Sequence, residues 1–142
     1  MQIVVGLSSR PEGRAALERA ATEAELRGAH LVVVRVAGRG LSENPDETQK
    51  WADAVEEART EGERLVADLA DRGVPASFRL EPVSSDAAGA LLQVAREVTA
   101  DLLVLGLRRR SPVGKLILGS VSQDVILGAE CPVLVVRGSE HQ

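Results

Sequence analysis

Apolar residues in this chain recur with two different periods. Five short segments are apolar: Ile3 to Leu7, Leu31 to Val36, Ala76 to Val83, Leu102 to Leu107 and Pro132 to Val136. Four of them are near-continuous and rich in valine, the pattern of strands covered on both faces in a parallel sheet. In the third, Phe78 and Leu80 alternate with Ser77, Arg79 and Glu81, which predicts an edge strand with one wetter face. Between the strands, apolar positions stand three and four apart. Pro11 to Arg27 carries Leu17, Ala20, Ala21 and Ala24, with proline where a first helical turn tolerates it and Gly28 at the stop. Trp51, Val55, Ala58, Gly62, Leu65 and Leu69 form a second helical stripe that Gly73 ends. Ala87, Leu91, Val94 and Val98 form a third, preceded by Ser84, Ser85 and Asp86, each a candidate N-cap. A fourth helix is predicted over Ser120 to Leu127, ending near Gly128, and Gly38 to Thr48 reads as one long irregular connection.

Strand and helix thus alternate along the whole chain. This predicts one α/β domain over residues 1–142, an open five-stranded parallel sheet with two helices on each face. Ligands of such sheets bind beyond the carboxyl ends of the strands, where the winding direction reverses. The loops that would form a site are Ser8 to Pro11, Ala37 to Leu41 and Gly106 to Gly119.

Composition narrows the function. One Trp, one Phe and no Tyr leave the core to Val, Leu, Ile and Ala, and argue against a platform of exposed rings on which single-stranded bases could stack. A formal net charge of −4 gives no overall field toward DNA or anionic lipid, so neither nucleic acid nor membrane is an expected partner. The single Cys131 excludes an internal disulfide and any multi-Cys metal site, and reads as a small buried filler. No segment approaches the roughly 20 apolar residues of a membrane span. The opening MQIVVGLSSR lacks the basic region of a signal peptide, which makes the cytoplasm the expected location. Trp51 reads as a helix anchor. His30 and His141 have no nucleophile or carboxylate placed to complete a triad, and no carboxylate pair offers a general acid and base. No catalytic residue and no metal ligand is assigned.

Candidate chemistry concentrates after the fourth strand, in Gly106-Leu-Arg-Arg-Arg-Ser-Pro-Val-Gly-Lys-Leu-Ile-Leu-Gly119-Ser120-Val121-Ser122. Small residues just before a helix expose backbone N–H groups to an anion, and the helix dipole adds to the attraction. Ser120 and Ser122 offer hydroxyl donors. Arg108, Arg109, Arg110 and Lys115 lie in a stretch from Leu102 to Gln123 that contains no acid. A P-loop is excluded, because Gly114 and Gly119 have its glycine spacing but Ser120 stands where lysine is required.

These residues resemble the universal stress protein family. Members that bind ATP carry a glycine, two residues, a second glycine, nine residues, then Gly-Ser or Gly-Thr. Gly106 matches the first glycine and Gly119-Ser120 the final pair, at the same total spacing. The tail through Cys131-Pro-Val-Leu-Val-Val-Arg137 is similar to the family's last helix and strand, and Ile3-Val-Val-Gly-Leu with Pro11 and an Ala-rich helix to its first βα unit. The resemblance implies strand order 3-2-1-4-5 and an adenine nucleotide, above all ATP, lying across the first and fourth strands. Gly6 and Ser8 would line one side, Val36 would touch the base, and Gly106, Arg109, Gly119, Ser120, Val121 and Ser122 would hold ribose and phosphates. It also implies a stress-response regulator rather than an enzyme. Such a protein would form a homodimer through the edge strand Pro132 to Arg137 and act on an unidentified regulatory protein partner.

Three positions depart from the family pattern. Arg109 replaces the middle glycine, Ser8 the acidic residue that ends the first strand, and Arg10 a small hydroxyl residue. Loss of the acid argues against a Mg²⁺-assisted site. Without a metal ligand, base or water-orienting group, hydrolysis of ATP would be slow at most. The same departures raise an alternative, a nucleotide-free dimeric interaction module with a degenerate pocket.

Overall fold

A computed structural model describes residues 1–8, 10–37, 43–82, 86–107 and 118–138. In chain order the elements are β1 (Gln2–Gly6), α1 (Pro11–Arg27), β2 (His30–Ala37), α2 (Pro45–Asp71), β3 (Ala76–Pro82), α3 (Ala87–Glu97), β4 (Leu102–Leu107), α4 (Ser120–Gly128) and β5 (Val133–Arg137). All strand pairs are parallel, in the order β3-β2-β1-β4-β5. This is the order implied by the resemblance.

Alternation along the buried strands sorts their side chains into two cores. Ile3, Val5, Leu31, Val33, Leu102 and Val104 face α1 and α2, meeting Ala16, Ala20, Ala21, Ala24 and Leu69. Val4, Val32, Val34, Leu103 and Leu105 face α3 and α4, meeting Ala88, Leu91, Val94 and Val125. Two helices therefore cover each face. The alanines of α1 keep its buried side short, so the helix packs close across β1, β4 and β5.

The helix boundaries follow local chemistry. Gly28 and Gly73 take positive φ of 61° and 86° after α1 and α2, a conformation that costs glycine nothing. Asp86 caps α3, its carboxylate accepting from the Gly89 N–H. Ser84 and Ser85, the other two cap candidates, lie outside the described residues. Of the irregular connection expected from Gly38 to Thr48, residues 38–42 lie outside the described residues, and its last four residues belong to α2, which begins at Pro45. There the Asn44 side chain accepts from the Asp46 N–H at 2.9 Å, and Pro45 occupies the first turn.

The two sheet edges differ. At β3, Phe78 lies against α2, and a β-carbon on Gly62 would collide with its ring. Arg79 pairs with Glu81 at 2.8 Å and Glu97 at 2.6 Å, which places charge along the wetter side of this edge. At β5, Val135 is exposed. His30 is structural, its Nε2 lying 3.0 Å from the Ser77 hydroxyl. Cys131 packs half-buried against the α3/α4 core, less enclosed than a filler would be. Trp51 is half-buried beside Val36, Ala37, Val55 and Leu80.

Candidate functional site

Each helix runs back against the direction of the strands, so helix N-termini gather at the carboxyl ends of the strands. β1 and β4 are neighbours, with Ile3 opposite Leu102 and Val5 opposite Val104. The helices that follow them, α1 and α4, lie on opposite faces. The chain therefore parts above β1 and β4 and leaves a crevice.

That crevice is a cleft of about 540 Å³, within the range of roughly 300–1,000 Å³ that holds small ligands. Its apolar floor includes Val34, Val36, Leu91 and Leu105, and its polar side groups are Ser8, Arg10, Glu12, Arg35 and Ser122. Close packing shapes it. A β-carbon on Gly106 would strike the Glu12 backbone carbonyl, and one on Gly13 would come within 2.5 Å of the Ser8 β-carbon. These glycines let the first turn of α1 sit down onto the ends of β4 and β1. Gly106 thus has a packing role whatever the cleft binds. The Leu7 N–H donates to the Val34 carbonyl at 2.7 Å, carrying β1–β2 bonding past the end of β1. The next turn is closed by the Arg10 N–H donating to the Ser8 hydroxyl at 3.1 Å.

The charge of the cleft opposes that of the chain. Among its described lining residues two cations, Arg10 and Arg35, face one acid, Glu12, whereas the whole chain carries −4. Neither arginine forms an ion pair with another described residue. The starts of α1 and α4, neither of which has a side-chain cap, add partial positive charge from their unpaired N–H groups. No group of three or more His, Cys, Asp or Glu among the described residues could hold a metal ion.

Of the residues singled out in the sequence, Gly6, Ser8, Val36, Gly106, Val121 and Ser122 line this one cleft. Gly119 and Ser120 stand beside it, Gly119 as the N-cap of α4 with open space around its α-carbon and Ser120 as its first helical residue. Arg109 lies outside the described residues, with Arg108, Arg110 and Lys115. Motif reading missed Val34, Leu91, Leu105 and Ala87, as well as Glu12, Gly13 and Arg35. Val34 was accessible in principle, since it shares a strand face with Val36 two residues on. Leu91 was not, because only the folded chain brings α3 to within 3.5 Å of where a Gly6 β-carbon would lie.

A family model described as the universal stress protein family matches residues 1–137. The chain belongs to the universal stress protein family. A universal stress protein of Mycolicibacterium smegmatis is 41% identical over 135 residues, covering 95% of this chain and 96% of the relative. A solved universal stress protein from Archaeoglobus fulgidus shares 34% identity at a TM-score of 0.69, with 96% of this chain and 98% of the other covered. A further Archaeoglobus fulgidus universal stress protein, solved in complex with dAMP, shares 29% identity at a TM-score of 0.67, with 96% and 97% covered. In this universal stress protein, no helix among the described residues is long and apolar enough to cross a membrane.

Proposed function

We propose that this universal stress protein is a single-domain cytoplasmic stress-response regulator that binds an adenine nucleotide, ATP or a close relative, in the cleft above β1 and β4. The observation that carries this reading is the convergence of Gly6, Ser8, Val36, Gly106, Val121 and Ser122 on one cationic cleft at the switch point of the sheet. A relative at 29% identity with the same fold, solved with dAMP, supports it. The base would rest against Val34 and Val36. Ribose would pass over Gly6 and Ser8, and the phosphates would turn toward Gly119, Ser120 and Ser122. No metal is required. The role on this reading is binding, with a change in protein contacts rather than a chemical product as its output.

The output would pass through protein contacts. β5 is an edge strand whose exposed Val135 lies among uncharged residues until Arg137. This supports a homodimer paired along Pro132 to Arg137, which would present a surface to a regulatory partner.

One observation favours a second reading. The Ser8 hydroxyl already accepts from the Arg10 N–H, so it is engaged in closing its own turn. On that reading the cleft is degenerate and the dimer alone carries the function. A thermal-shift titration with ATP, ADP, AMP and cyclic AMP, with and without Mg²⁺, separates the two. Nucleotide at 100 times its dissociation constant stabilises a binding protein by about 2.7 kcal/mol. A flat response to all four, with a melting temperature that falls on dilution, selects the nucleotide-free dimer.

A further inference from the structure

The cleft holds a residue that the family's loop motif does not assign. Arg10 lines it, at the N-cap position of α1. Its backbone is pinned on both sides. The N–H donates to the Ser8 hydroxyl at 3.1 Å, and the carbonyl accepts from the Arg14 N–H at 3.0 Å. An exposed guanidinium therefore springs from a fixed point on the rim, and it forms no ion pair with another described residue. The only acid in the described lining is Glu12, and the end of β1 carries the neutral Ser8. The cleft thus offers little to a divalent cation and a ready fork of donors to a phosphate.

Resting on the nucleotide reading above, we infer that Arg10 is a phosphate-binding residue of this cleft. It takes the place of a carboxylate-held divalent cation, so that phosphorylated adenosines bind without metal. A guanidinium supplies the positive charge permanently and matches two phosphate oxygens at once. Arg35 is the internal comparison. It also lines the cleft, but it stands on β2 and borders the hollow beneath α2 with Trp51 and Leu80.

The test is calorimetric titration of the full chain with adenosine, AMP and ATP, in EDTA and in Mg²⁺, for wild type, Arg10→Ala, Arg10→Lys and Arg35→Ala. Wild type should bind AMP more tightly than adenosine in EDTA, and Mg²⁺ should leave the AMP affinity unchanged. Arg10→Ala should weaken AMP by about tenfold or more, the scale of a charge-assisted bond, and leave adenosine unaffected. Arg10→Lys should recover part of the loss, and Arg35→Ala should cost AMP less than Arg10→Ala does. Equal weakening of adenosine and AMP by Arg10→Ala would overturn the inference, as would an AMP affinity that needs Mg²⁺ in wild type. Adenosine binding with no preference for its phosphate esters removes this inference alone. Failure of adenosine, AMP and ATP alike to bind wild type removes the nucleotide reading with it.

Discussion

The two ends of the sheet are built from the same alternation of strand and helix, yet they differ in chemistry. At the amino end, backbone bonding continues past the strands. The His30 N–H donates to the Met1 carbonyl, Leu31 to Pro75, Asp101 to Gln2 and Leu103 to Pro132, all between 2.8 and 3.0 Å. The Asp101 carboxylate then accepts from the Gln2 N–H at 2.8 Å. The hollow left there is about 140 Å³, between Leu92, Thr99, Gly128 and Cys131, which is small for a nucleotide. Its lining carries one cation, Arg96, and one acid, Glu130, and burial first, then the charges of Asp101 and Glu130, push the Cys131 thiol up. At the carboxyl end, helix starts converge, the side chains shrink to glycine and serine, and Arg10 and Arg35 outnumber Glu12. Helices that return antiparallel to their strands put positive dipole ends at one edge and negative ends at the other. The proposed anion site therefore follows first from topology, and side chains refine it.

The largest effect should come from closing the carboxyl end. Gly106→Val would drive a side chain into the Glu12 backbone carbonyl, costing about 1–3 kcal/mol in urea unfolding and abolishing nucleotide binding. Gly119→Ala, where a β-carbon meets nothing within 4 Å, should cost less than about 1 kcal/mol, the scale of a lost N-cap preference. Wild-type stability in Gly106→Val would mean that α1 is not seated on β4 as described.

A smaller effect should separate the amino end from the site. Asp101→Asn removes the charge facing the Gln2 N–H, for a loss of about 0.5–1 kcal/mol. The same change removes a charge that disfavours the Cys131 thiolate, so the thiol pKa should fall while burial keeps it raised. Alkylation at pH 8 should quicken and nucleotide affinity should stay constant. An altered affinity would show the two ends to be coupled.

The smallest effect belongs to neither end. Arg79 chiefly, then Gln93, hold the Glu97 carboxyl below its ordinary range. Because the folded value is the lower one, this stabilisation is present above the unfolded carboxylate value of roughly 4.3 and is lost as pH falls through the folded value. The stability difference between wild type and Arg79→Met should therefore shrink on acidification below about pH 4. A difference that persists at lower pH would assign the role of Arg79 to packing.

Much of this contrast was legible in the chain itself. Buried strands announced themselves because Val4, Val33 and Leu103 sit in unbroken apolar runs, and Pro11, Gly28 and Gly73 punctuated the helices. The start of α2 was misjudged, since a polar stretch around Asn44-Pro45 reads as loop until the cap of Asn44 on Asp46 is seen. At the site, glycines and hydroxyls were visible because a spacing carried them. Leu91 and Ala87 were not, because a helix stripe says only that a face is buried, not which cleft it closes. The dual role of Gly106 was equally hidden: nothing in the sequence places the Glu12 carbonyl above it.

The most direct test of the central claim is hydrogen exchange of the full chain with and without saturating ATP. Nucleotide held in the cleft should slow exchange where β1 runs into α1, from Leu7 to Gly13, and at the start of α4 around Val121 and Ser122, and leave the amino end unchanged. Protection confined to the amino end or to β5, or no protection at all, would contradict the account.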